Sequence, residues 1–324
     1  MALIGKALAL ARSLRQLPVS LAWRLDLIQE ALGRIEARQT ASIEPGDFAG
    51  AEFKVSSQWG EDGIIEHLVR HVPIDRRIFV EFGVQDYRES NTRFLLAHRN
   101  WSGLVMDGSP DNVSAIRRDD LYWRYNLKAE SIFITAENIN EAIASHGVQG
   151  DIGLLSIDID GNDYWVWEAI DCISPRIVVA EYNSLFGSDP AVSVPYDSAF
   201  QRHRAHPSNL YWGCSLAAWC HLAAKKGYAL VGCNTAGNNA FFVRKDVLGS
   251  LPERSAGEAF RPAQFRESRN PDGSLSFLGP AAAADLIREL PLISVLDGAM
   301  TSLAELHQSA IVVPIGQQQV PHVS

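Results

Sequence analysis

The sequence predicts a doubly wound α/β fold with a mainly parallel sheet of seven strands. Five short apolar segments alternate with segments of helical periodicity between residues 57 and 181. This alternation is typical of a parallel sheet that carries helices on both of its faces. Two more strand-like segments, Tyr228–Cys233 and Ala240–Val243, are joined by a polar, glycine-containing connection, which indicates a closing hairpin. Because the hairpin continues the same alternation, we expect one domain rather than two.

Composition and charge are those of an ordinary globular protein. The chain has 324 residues, of which 47% are hydrophobic and 21% are charged. A net charge of -9 argues against a nucleic-acid-binding surface as the main function. The four cysteines show neither paired spacing nor ligand-like spacing with histidine, so we expect free thiols rather than zinc ligands or disulfides. No apolar run is long enough to span a bilayer, and we expect a cytoplasmic protein with membrane contact at most at its periphery.

Residues 1–40 are predicted to form a helical arm. Leucine and isoleucine recur there at helical intervals, and Pro18 divides the segment into two halves. Basic residues outnumber acidic residues in this segment by six to three. Two interpretations stay open: the arm packs on the domain or on another protomer, or it lies on an anionic membrane surface. Residues 41–56, which include a Pro-Gly pair, are interpreted as a linker.

The main domain is predicted to span residues 57–250, and its elements follow in order. Each strand is identified as an apolar run that ends in polar residues, as buried parallel strands do. The first five predicted strands are 77–83, 101–107, 131–135, 152–158 and 176–181. Predicted helices start near residues 57, 90, 110, 139 and 164, and a sixth runs from Ser215 to Gly227.

Two segments lie outside this alternation. Residues 184–213 form a long polar and aromatic insertion, and insertions of this length in compact domains are often functional lids. This segment carries Asp197, His203 and His206, any of which could act as a general base. Residues 251–324 are interrupted by proline and alanine and are assigned only as a C-terminal extension.

The fourth strand ends in a cluster of acids, around which the predicted site is built. The run Leu154–Ile157 is followed by Asp158, Asp160 and Asp163. In open α/β sheets, ligands bind just outside the carboxyl ends of the strands. Asp158 and Asp160 point to the same side of a continuing strand, so they need a cation, a protonated ligand or hydrogen-bond donors. The alternative is that the aspartates only cap the following helix.

Acidic residues also follow the first two predicted strands. Glu81 and Gly83 stand at the end of the first strand, and Asp107 stands at the end of the second. In mononucleotide-binding α/β folds, the first turn contains glycine, and an acid after the second strand binds the ribose hydroxyls. The arrangement therefore favours a nucleotide-like ligand at this edge of the sheet.

Taken in order, these motifs resemble those of class I S-adenosylmethionine-dependent methyltransferases, in particular the FkbM-like family. The resemblance covers about residues 55–245. The matching motifs are Phe79–Gly83, Val105–Asp107, Leu155–Gly161, Val179–Asn183, and the closing strands at Gly227-Tyr228 and Asn239–Val243. The family's first turn usually reads Gly-x-Gly, whereas the glycine here is followed by Val-Gln-Asp-Tyr, whose side chains restrict close backbone approach.

The resemblance implies both a fold and a cofactor site. It implies a seven-stranded sheet of the class I methyltransferase type that binds S-adenosylmethionine at its carboxyl edge. Glu81 and Gly83 would lie beside the methionine part of the cofactor, and Asp107 would hold its ribose. Gln58 and Glu61, which precede the first strand, would contact the cofactor from above.

A resemblance to metal-dependent O-methyltransferases implies a Mg²⁺ site as well. Those enzymes place a carboxylate after strand four and an acid–amide pair after strand five, which here are Asp158 or Asp160, and Glu181 with Asn183. Such oxygen ligands suit Mg²⁺, which lowers the pKa of a bound hydroxyl. We therefore expect methylation of a hydroxyl on a small-molecule or glycan acceptor, such as a sugar. Asp158, Asp160 and His203 are the expected catalytic residues.

Three other interpretations of the acid cluster stay open. Asp-x-Asp-Gly resembles the nucleophile motif of haloacid-dehalogenase-type phosphatases, although that motif ordinarily lies on the first strand and precedes threonine rather than Asn162. The second is the Asp-x-Asp metal site of a glycosyltransferase that uses a nucleotide-sugar donor. The third is a non-catalytic, methyltransferase-like scaffold, which would have no reason to keep hard-metal ligands on two neighbouring strands.

Overall fold

Two sheets organise the computed structural model, which describes residue 21 and residues 24–311. Within these residues the strands, in chain order, are β1 (Ile78–Phe82), β2 (Ser102–Asp107), β3 (Leu127–Ser131), β4 (Gly150–Ile157), β5 (Ile173–Glu181), β6 (Val192–Ser193), β7 (Tyr228–Cys233), β8 (Asn239–Arg244), β9 (Leu292–Ser294) and β10 (Met300–Thr301). The main sheet has seven strands and the small sheet has three.

The order of the main sheet is β3-β2-β1-β4-β5-β8-β7. The first five of these strands run parallel, and β8 lies antiparallel between β5 and β7. This order, with the hairpin β7–β8 closing one edge, is that of the class I methyltransferase type, so the predicted fold is confirmed. The order reverses between β1 and β4, and their carboxyl ends diverge into a crevice where ligands of such sheets bind.

Helices cover both faces of the main sheet. In chain order they are α1 (24–39), α2 (Phe48–Ala51), α3 (Glu61–His71), α4 (Arg93–Arg99), α5 (Pro110–Arg118), α6 (Asp120–Arg124), α7 (Ile139–Ser145), α8 (Asp163–Ala169), α9 (Arg202–Ala205), α10 (Leu216–Lys226), α11 (Ala256–Ala259), α12 (Pro280–Ile287) and α13 (Leu303–Ile311). One apolar layer packs α7, α8 and α10 on the sheet, and a second packs α3, α4 and α5 on the opposite face. The central strands β4 and β5 are therefore buried on both sides, which explains their continuous apolar sequences.

The third strand differs from its prediction. It spans Leu127–Ser131 rather than residues 131–135, because β3 is an edge strand in which exposed Lys128 alternates with buried neighbours. An alternating sequence of this kind carries no continuous apolar run. The apolar residues that suggested the strand, Ile132, Phe133 and Ile134, instead line a cavity beside the sheet.

The predicted lid and the C-terminal extension fold together. Strand β6 of the insertion pairs with β9, and β9 pairs with β10, so both segments share the small sheet. An apolar cluster joins Phe186, Val194 and Leu210 of the insertion to Ile287 and Leu292 of the extension. The extension therefore packs against the insertion and supports it.

The N-terminal region contains a helix that packs on the domain by one face. Gly33 and Ala37 of α1 face Val55 and Phe94 of the domain. The predicted linker contains α2, whose Phe48 is buried against the sheet. The rest of the predicted arm, residues 1–20 and 22–23, lies outside the described residues. In the described part of the chain, no helix is both long and apolar enough to cross a membrane.

Candidate functional site

A cavity of about 570 Å³ opens at the carboxyl ends of β1, β4 and β5. Its walls come from these strand ends, from α9 of the insertion and from Phe265 and Glu267 of the extension. A second cavity of about 210 Å³ lies beside it, at the carboxyl ends of β2 and β3. The two cavities share Gly83, Gln85, Asp158 and Asp160 in their walls, so a ligand could extend through both.

Three carboxylates meet in the wall of the larger cavity. Asp158, Asp160 and Glu181 each offer one oxygen, and these oxygens all lie within 4.8 Å of one another. We call these three residues the acid trio. Asp158 and Asp160 follow β4, and Glu181 ends the neighbouring strand β5, so the parallel pairing brings them together. The structure thus assembles the carboxylates that the sequence pattern singled out.

The electrostatics of the acid trio favour protons or a cation. Burial, and next the charges of neighbouring acids, raise the pKa of Asp158 and of Glu181 well above their ordinary values. Glu181 is 7% exposed, and its Oε2 atom has no hydrogen-bond partner among the described residues. Such a buried, unpaired acceptor is costly unless a ligand satisfies it.

An arginine of the insertion provides the positive charge nearest to the acid trio. The Nη1 atom of Arg202 donates to Oδ1 of Asp160 at 2.6 Å, and its Nη2 atom lies 3.6 Å from a carboxylate oxygen of Glu267. The guanidinium carbon lies 5.0 Å from the ring centre of Trp212. Arg202 therefore ties together the turn after β4, the insertion and the extension.

The third acid of the sequence cluster shapes the turn rather than joining the trio. Asp163 accepts the backbone N–H groups of Ile159 at 2.7 Å and of Gly161 at 2.8 Å. Burial raises the pKa of Asp163 to about 6, although these hydrogen bonds oppose the shift. The turn holds Asp160 at φ 56, a left-handed conformation that aspartate tolerates better than most residues. One of the three aspartates is therefore used to hold the turn that precedes α8.

Gly83 lies at a close backbone contact that leaves no room for a side chain. Its φ is +79, and a Cβ atom built on it would lie 1.4 Å from the carbonyl oxygen of Asp158. The turns after β1 and β4 are therefore in direct contact through their backbone atoms. The residues that depart from the glycine-rich pattern also adopt left-handed conformations, with φ 49 at Gln85 and φ 66 at Tyr87. The chain thus builds a tight first turn with one glycine.

Glu81 lines the larger cavity, but its carboxylate is occupied by the protein. It accepts the backbone N–H groups of Asn91 at 2.8 Å and Thr92 at 3.1 Å, the Thr92 hydroxyl, and the Ser156 hydroxyl at 3.3 Å. Burial raises its pKa, and these hydrogen bonds counteract the shift. The side chain is therefore placed to hold the start of α4, and its predicted contact with a cofactor stays a prediction.

Asp107 keeps some acceptor capacity free. Its carboxylate accepts the N–H groups of Gln85 and Ser109 at 2.8 Å each and the amide of Asn112 at 2.9 Å. An ionised carboxylate can accept about four hydrogen bonds, so room for one more remains. Asp107 lines the smaller cavity together with Phe133 and its apolar neighbours. An acid beside an apolar wall suits a ribose joined to a base.

Of the two residues predicted to lie over the cofactor, only Gln58 lines the larger cavity. The carboxylate of Glu61 accepts the N–H groups of Trp59 and Gly60 at 2.9 Å each, and the amides of Asn234 at 2.7 Å and Asn239 at 2.9 Å. Four donors fill its acceptor positions. Glu61 thus ties the start of α3 to the hairpin β7–β8, and we leave it out of the cofactor site.

Asn183 also has a structural explanation. Its amide nitrogen donates to the carbonyl groups of Leu210 at 3.0 Å and Trp212 at 3.1 Å, and its oxygen accepts the N–H of Leu185 at 3.1 Å. The residue lines a separate cavity of about 50 Å³ behind the insertion. Because its amide anchors the insertion, we do not include Asn183 in the proposed metal site.

The candidate bases of the insertion lie at different distances from the cavity. His203 is exposed and lines the larger cavity. His206 instead pairs with the hydroxyl of Ser208 at 2.7 Å, and Asp197 accepts the N–H of Ala199 at 2.9 Å. Neither of these two belongs to the cavity wall. Among the three, His203 alone is placed to meet a ligand there.

Sequence reasoning missed several residues of the cavity wall. The sequence predicts only a helix start near residue 90, yet the hydroxyl of Ser90 is buried and has no partner within the described ranges. Trp59 and Phe265 stack in the cavity wall with ring centres 5.5 Å apart, although they are far apart in sequence. Glu267 comes from the extension, for which the sequence predicted no role. The only available signal for Arg202 and Trp212 was the polar and aromatic composition of the insertion, which contains two arginines and one tryptophan.

Comparisons with known proteins give only distant likenesses. No protein-family model matches the sequence, and no curated protein matches it. The N-terminal domain of EvdMO1 with SAH bound has a TM-score of 0.39 and 11% identity, over 65% of this chain and 94% of that one. The CurJ carbon methyltransferase has a TM-score of 0.38 and 12% identity, over 71% and 70%. An S-adenosylmethionine-dependent methyltransferase from Clostridium acetobutylicum has a TM-score of 0.36 and 9% identity, over 56% of this chain and 89% of that one. Scores this low support no argument about activity.

Proposed function

We propose that this protein transfers the methyl group of S-adenosylmethionine to a hydroxyl oxygen of a sugar or glycan-like acceptor. The observation that carries the proposal is the pair of joined cavities at the point where the strand order reverses. The smaller cavity suits a nucleoside, and the larger one has room for an amino-acid chain and an acceptor. Their common wall is the backbone contact between Gly83 and Asp158.

The smaller cavity has the chemistry that a nucleoside requires. Ile132, Phe133 and Ile134 offer apolar surface to a base, and Asp107 offers an acceptor to the ribose hydroxyls. In the larger cavity, the unpaired hydroxyl of Ser90 and the amide of Gln58 suit the charged ends of a methionine moiety. When bound, the cofactor supplies an electrophilic methyl group attached to a positively charged sulfur.

The protein's own residues must position the acceptor and receive its proton. Asp158 and Glu181 have raised pKa values, which brings carboxylates closer to the basicity that proton acceptance near neutral pH needs. Asp160 is exposed and is free to contact an acceptor, apart from its bond to Arg202. His203 lines the same cavity and is a second candidate base. Holding the hydroxyl in line with the methyl group supplies most of the remaining catalysis.

The wall of the larger cavity supports a carbohydrate acceptor. Trp59, Trp212 and Phe265 offer aromatic faces, and the amides of Asn209 and Asn239 lie among them. Aromatic faces suit the apolar side of a sugar ring, and amides suit its hydroxyl groups. The mixture is more polar than a site for a purely apolar acceptor would need.

Calorimetric titration with S-adenosylmethionine tests the cofactor assignment. We expect micromolar binding that Asp107→Ala weakens about tenfold, the effect of losing one charge-assisted hydrogen bond. Asp111→Ala is the matched control, because Asp111 lies exposed on the next helix and lines neither cavity. If the wild-type protein binds no cofactor, the methyltransferase proposal fails, and a scaffold or a nucleotide-sugar enzyme takes its place.

Activity is tested by transfer of labelled methyl groups to a panel of sugars and glycans. Asp160→Asn should abolish transfer without unfolding the protein, because asparagine tolerates the left-handed conformation at this position. Turnover retained by the folded variant would remove Asp160 from the mechanism.

A further inference from the structure

We propose that the acid trio of Asp158, Asp160 and Glu181 binds a divalent cation that prefers oxygen ligands, and that Arg202 competes with this cation for Asp160. Occupancy of the cation site would then control how firmly the insertion is held over the cavity. The inference deepens the proposed function, because it assigns a regulated metal site to the same cavity.

The donor set fits a hard divalent cation. Three carboxylate oxygens lie within 4.8 Å of one another, and the Oε2 atom of Glu181 is buried and has no partner in the part of the chain described. Oxygens on opposite sides of Mg²⁺ stand about 4.2 Å apart, and those around Ca²⁺ stand about 5 Å apart. Because three oxygens cannot all stand opposite one another, at least two of their three pairs would be neighbours, about 3 Å apart around Mg²⁺, and the trio would contract to bind the ion.

The charge balance of the cavity leaves a place for such a cation. Arg202 is the one lysine or arginine in the wall that the described residues form around the larger cavity. The acids in the same wall are Glu81, Glu89, Asp158, Asp160, Glu181 and Glu267. One fixed positive charge cannot balance this set, so the site needs protons or a further cation.

Arg202 holds the position that a cation would disturb. Its guanidinium bonds to Asp160 at 2.6 Å, and its side chain is 17% exposed, whereas the Asp160 side chain is 51% exposed. A dication bound to Asp160 would draw electron density from the same carboxylate and would repel the guanidinium at close range. The Asp160 bond would weaken, while Glu267 and Trp212 could still hold the arginine on the other side.

The competition would act on the insertion through α9. Arg202 is the first residue of α9, and its Nε atom donates to the carbonyl of Asn209 at 2.5 Å. The segment from 202 to 209 is therefore organised by the same side chain that binds Asp160. When Arg202 leaves Asp160, this segment loses its bond to the turn after β4. Cation loading would thus loosen the insertion and admit an acceptor.

Titration of the full-length protein with MgCl₂ and MnCl₂ tests the competition, because the two interpretations of Arg202 predict opposite signs. If Arg202 competes for Asp160, Arg202→Gln should bind the cation about tenfold tighter than the wild type, the size expected for removing one partly buried ion pair. Most of this gain should disappear in the Asp160→Asn background, whereas a guanidinium that acts only through its charge would weaken cation binding equally in both backgrounds. If Arg202 only positions Asp160, the variant should bind more weakly or equally, and the proposal is overturned. Asp160→Asn should bind at least about tenfold more weakly.

Two further variants keep the test decisive. Arg204→Gln is the matched control, because Arg204 lies exposed on the same helix and does not line the cavity, so its affinity should equal that of the wild type. Arg202→Lys keeps the charge but loses the planar guanidinium, so its cation affinity should lie above that of the wild type and below that of Arg202→Gln. It serves as the test if Arg202→Gln fails to fold. Equal affinities of Arg202→Lys and wild type would contradict a role for the Asp160 bond.

Tryptic cleavage after Arg204 reports the insertion directly. The proposal predicts faster cleavage of the wild type when the cation is present and no cation effect in Asp160→Asn. Cleavage that is unaffected by the cation would overturn the link to the insertion. Cofactor binding without any cation binding would overturn this inference and leave the proposed methyltransferase activity standing. Cation binding without cofactor binding would overturn the proposed activity and leave the cation site standing.

Discussion

The carboxylate of Glu81 accepts the backbone N–H of Thr92 at 3.1 Å, so an acid at the end of β1 caps the helix that follows it. Helix α4 receives no side-chain hydrogen bond from its own N-cap residue. The backbone N–H of Asn91 also donates to Glu81, at 2.8 Å. The end of β1 and the start of α4 are therefore joined by one buried side chain, that of Glu81, which is 4% exposed.

Glu81→Ala should destabilise the protein by about 3 kcal/mol, because it leaves buried donors of Asn91 and Thr92 without an acceptor. Urea unfolding measures the loss. Glu89→Ala is the control, since that side chain is 57% exposed and pairs with Lys54 at 3.4 Å. Its expected cost is under about 1 kcal/mol. Equal costs for the two variants would contradict a capping role for Glu81.

Gly83→Ala should prevent folding or cost at least about 4 kcal/mol, because the new methyl group would overlap the carbonyl of Asp158. Gly147→Ala separates this clash from the effect of the left-handed backbone. Gly147 has φ +74 and nothing within 4 Å of its Cβ position, so its expected cost is about 1 to 2 kcal/mol. Thermal unfolding of both variants gives the comparison. Similar losses would show that the turns after β1 and β4 can move apart cheaply.

Ser90→Ala should weaken the binding of S-adenosylmethionine about tenfold, because the buried hydroxyl lines the cavity and is available to the ligand. The melting temperature of the ligand-free protein should not fall, since the hydroxyl makes no hydrogen bond within residues 24–311. Calorimetry and thermal unfolding measure the two effects. A variant that loses stability but keeps its affinity would assign Ser90 to the fold instead of the site.

Asp62 should make the wild-type protein less stable as the pH rises. Its Oδ2 atom accepts the N–H groups of Val55, Ser56 and Ser57 at 2.7 Å each, and burial raises its pKa to about 6 from 3.8. The native state therefore holds this proton more tightly than the unfolded state. The contribution of Asp62 to stability is therefore lost as the pH rises from about 3.8 through 6, and it is constant above that range.

The variant Asp62→Asn isolates this effect, because asparagine does not titrate. Between pH 3 and pH 8, the stability of the wild type relative to the variant should fall by about 3 kcal/mol. Denaturant unfolding at several pH values gives both curves. Curves that stay parallel through this range would contradict the raised pKa of Asp62.

The exposed face of α1 should mediate contact between copies of the chain. Leu25, Ile28 and Leu32 are 63%, 55% and 56% exposed, and with Leu21 and Ile35 they repeat at intervals of four and three residues. This spacing is typical of helices that pair along an apolar seam. The opposite face, with Gly33 and Ala37, packs on the domain.

Replacing Leu25, Ile28 and Leu32 by serine should lower the mass that analytical ultracentrifugation reports. The melting temperature should stay unchanged, since these side chains do not belong to the apolar core. A wild-type protein that sediments as a monomer, and that loses binding to anionic vesicles after these substitutions, would favour a membrane surface instead.

The central part of the fold was predictable because its signals are local. Strands β4 and β5 are buried on both faces, so their sequences are continuous apolar runs, and the hairpin β7–β8 is marked by its polar connection. Strand β3 was placed too late in the chain, because an edge strand alternates between exposed and buried residues and resembles a loop. The acid trio was predictable because parallel strands bring their carboxyl ends to one edge.

The rest of the candidate site depends on contacts that are distant in sequence. The amide of Asn183 meets carbonyl groups 27 and 29 residues downstream, and no local pattern reveals such an anchor. Arg202 meets Asp160 across 42 residues, and Glu267 arrives from an extension without any recognisable motif. Glu61 looked like a ligand for a cofactor because its four internal donors, two of them in the hairpin, become visible only after folding.

The position of β8 also sets the order in which the protein can be completed during synthesis. Strand β5 pairs with β4 on one side and with β8 on the other, and β8 is the last strand of the main sheet to be made. A chain emerging from the ribosome therefore carries an unpaired strand edge beside Glu181 until residues 239–244 appear. Phe265 and Glu267 of the cavity wall emerge later still. A chain that ends between β5 and β8 would thus expose a strand edge open to pairing with another chain, and it would hold no finished binding cavity.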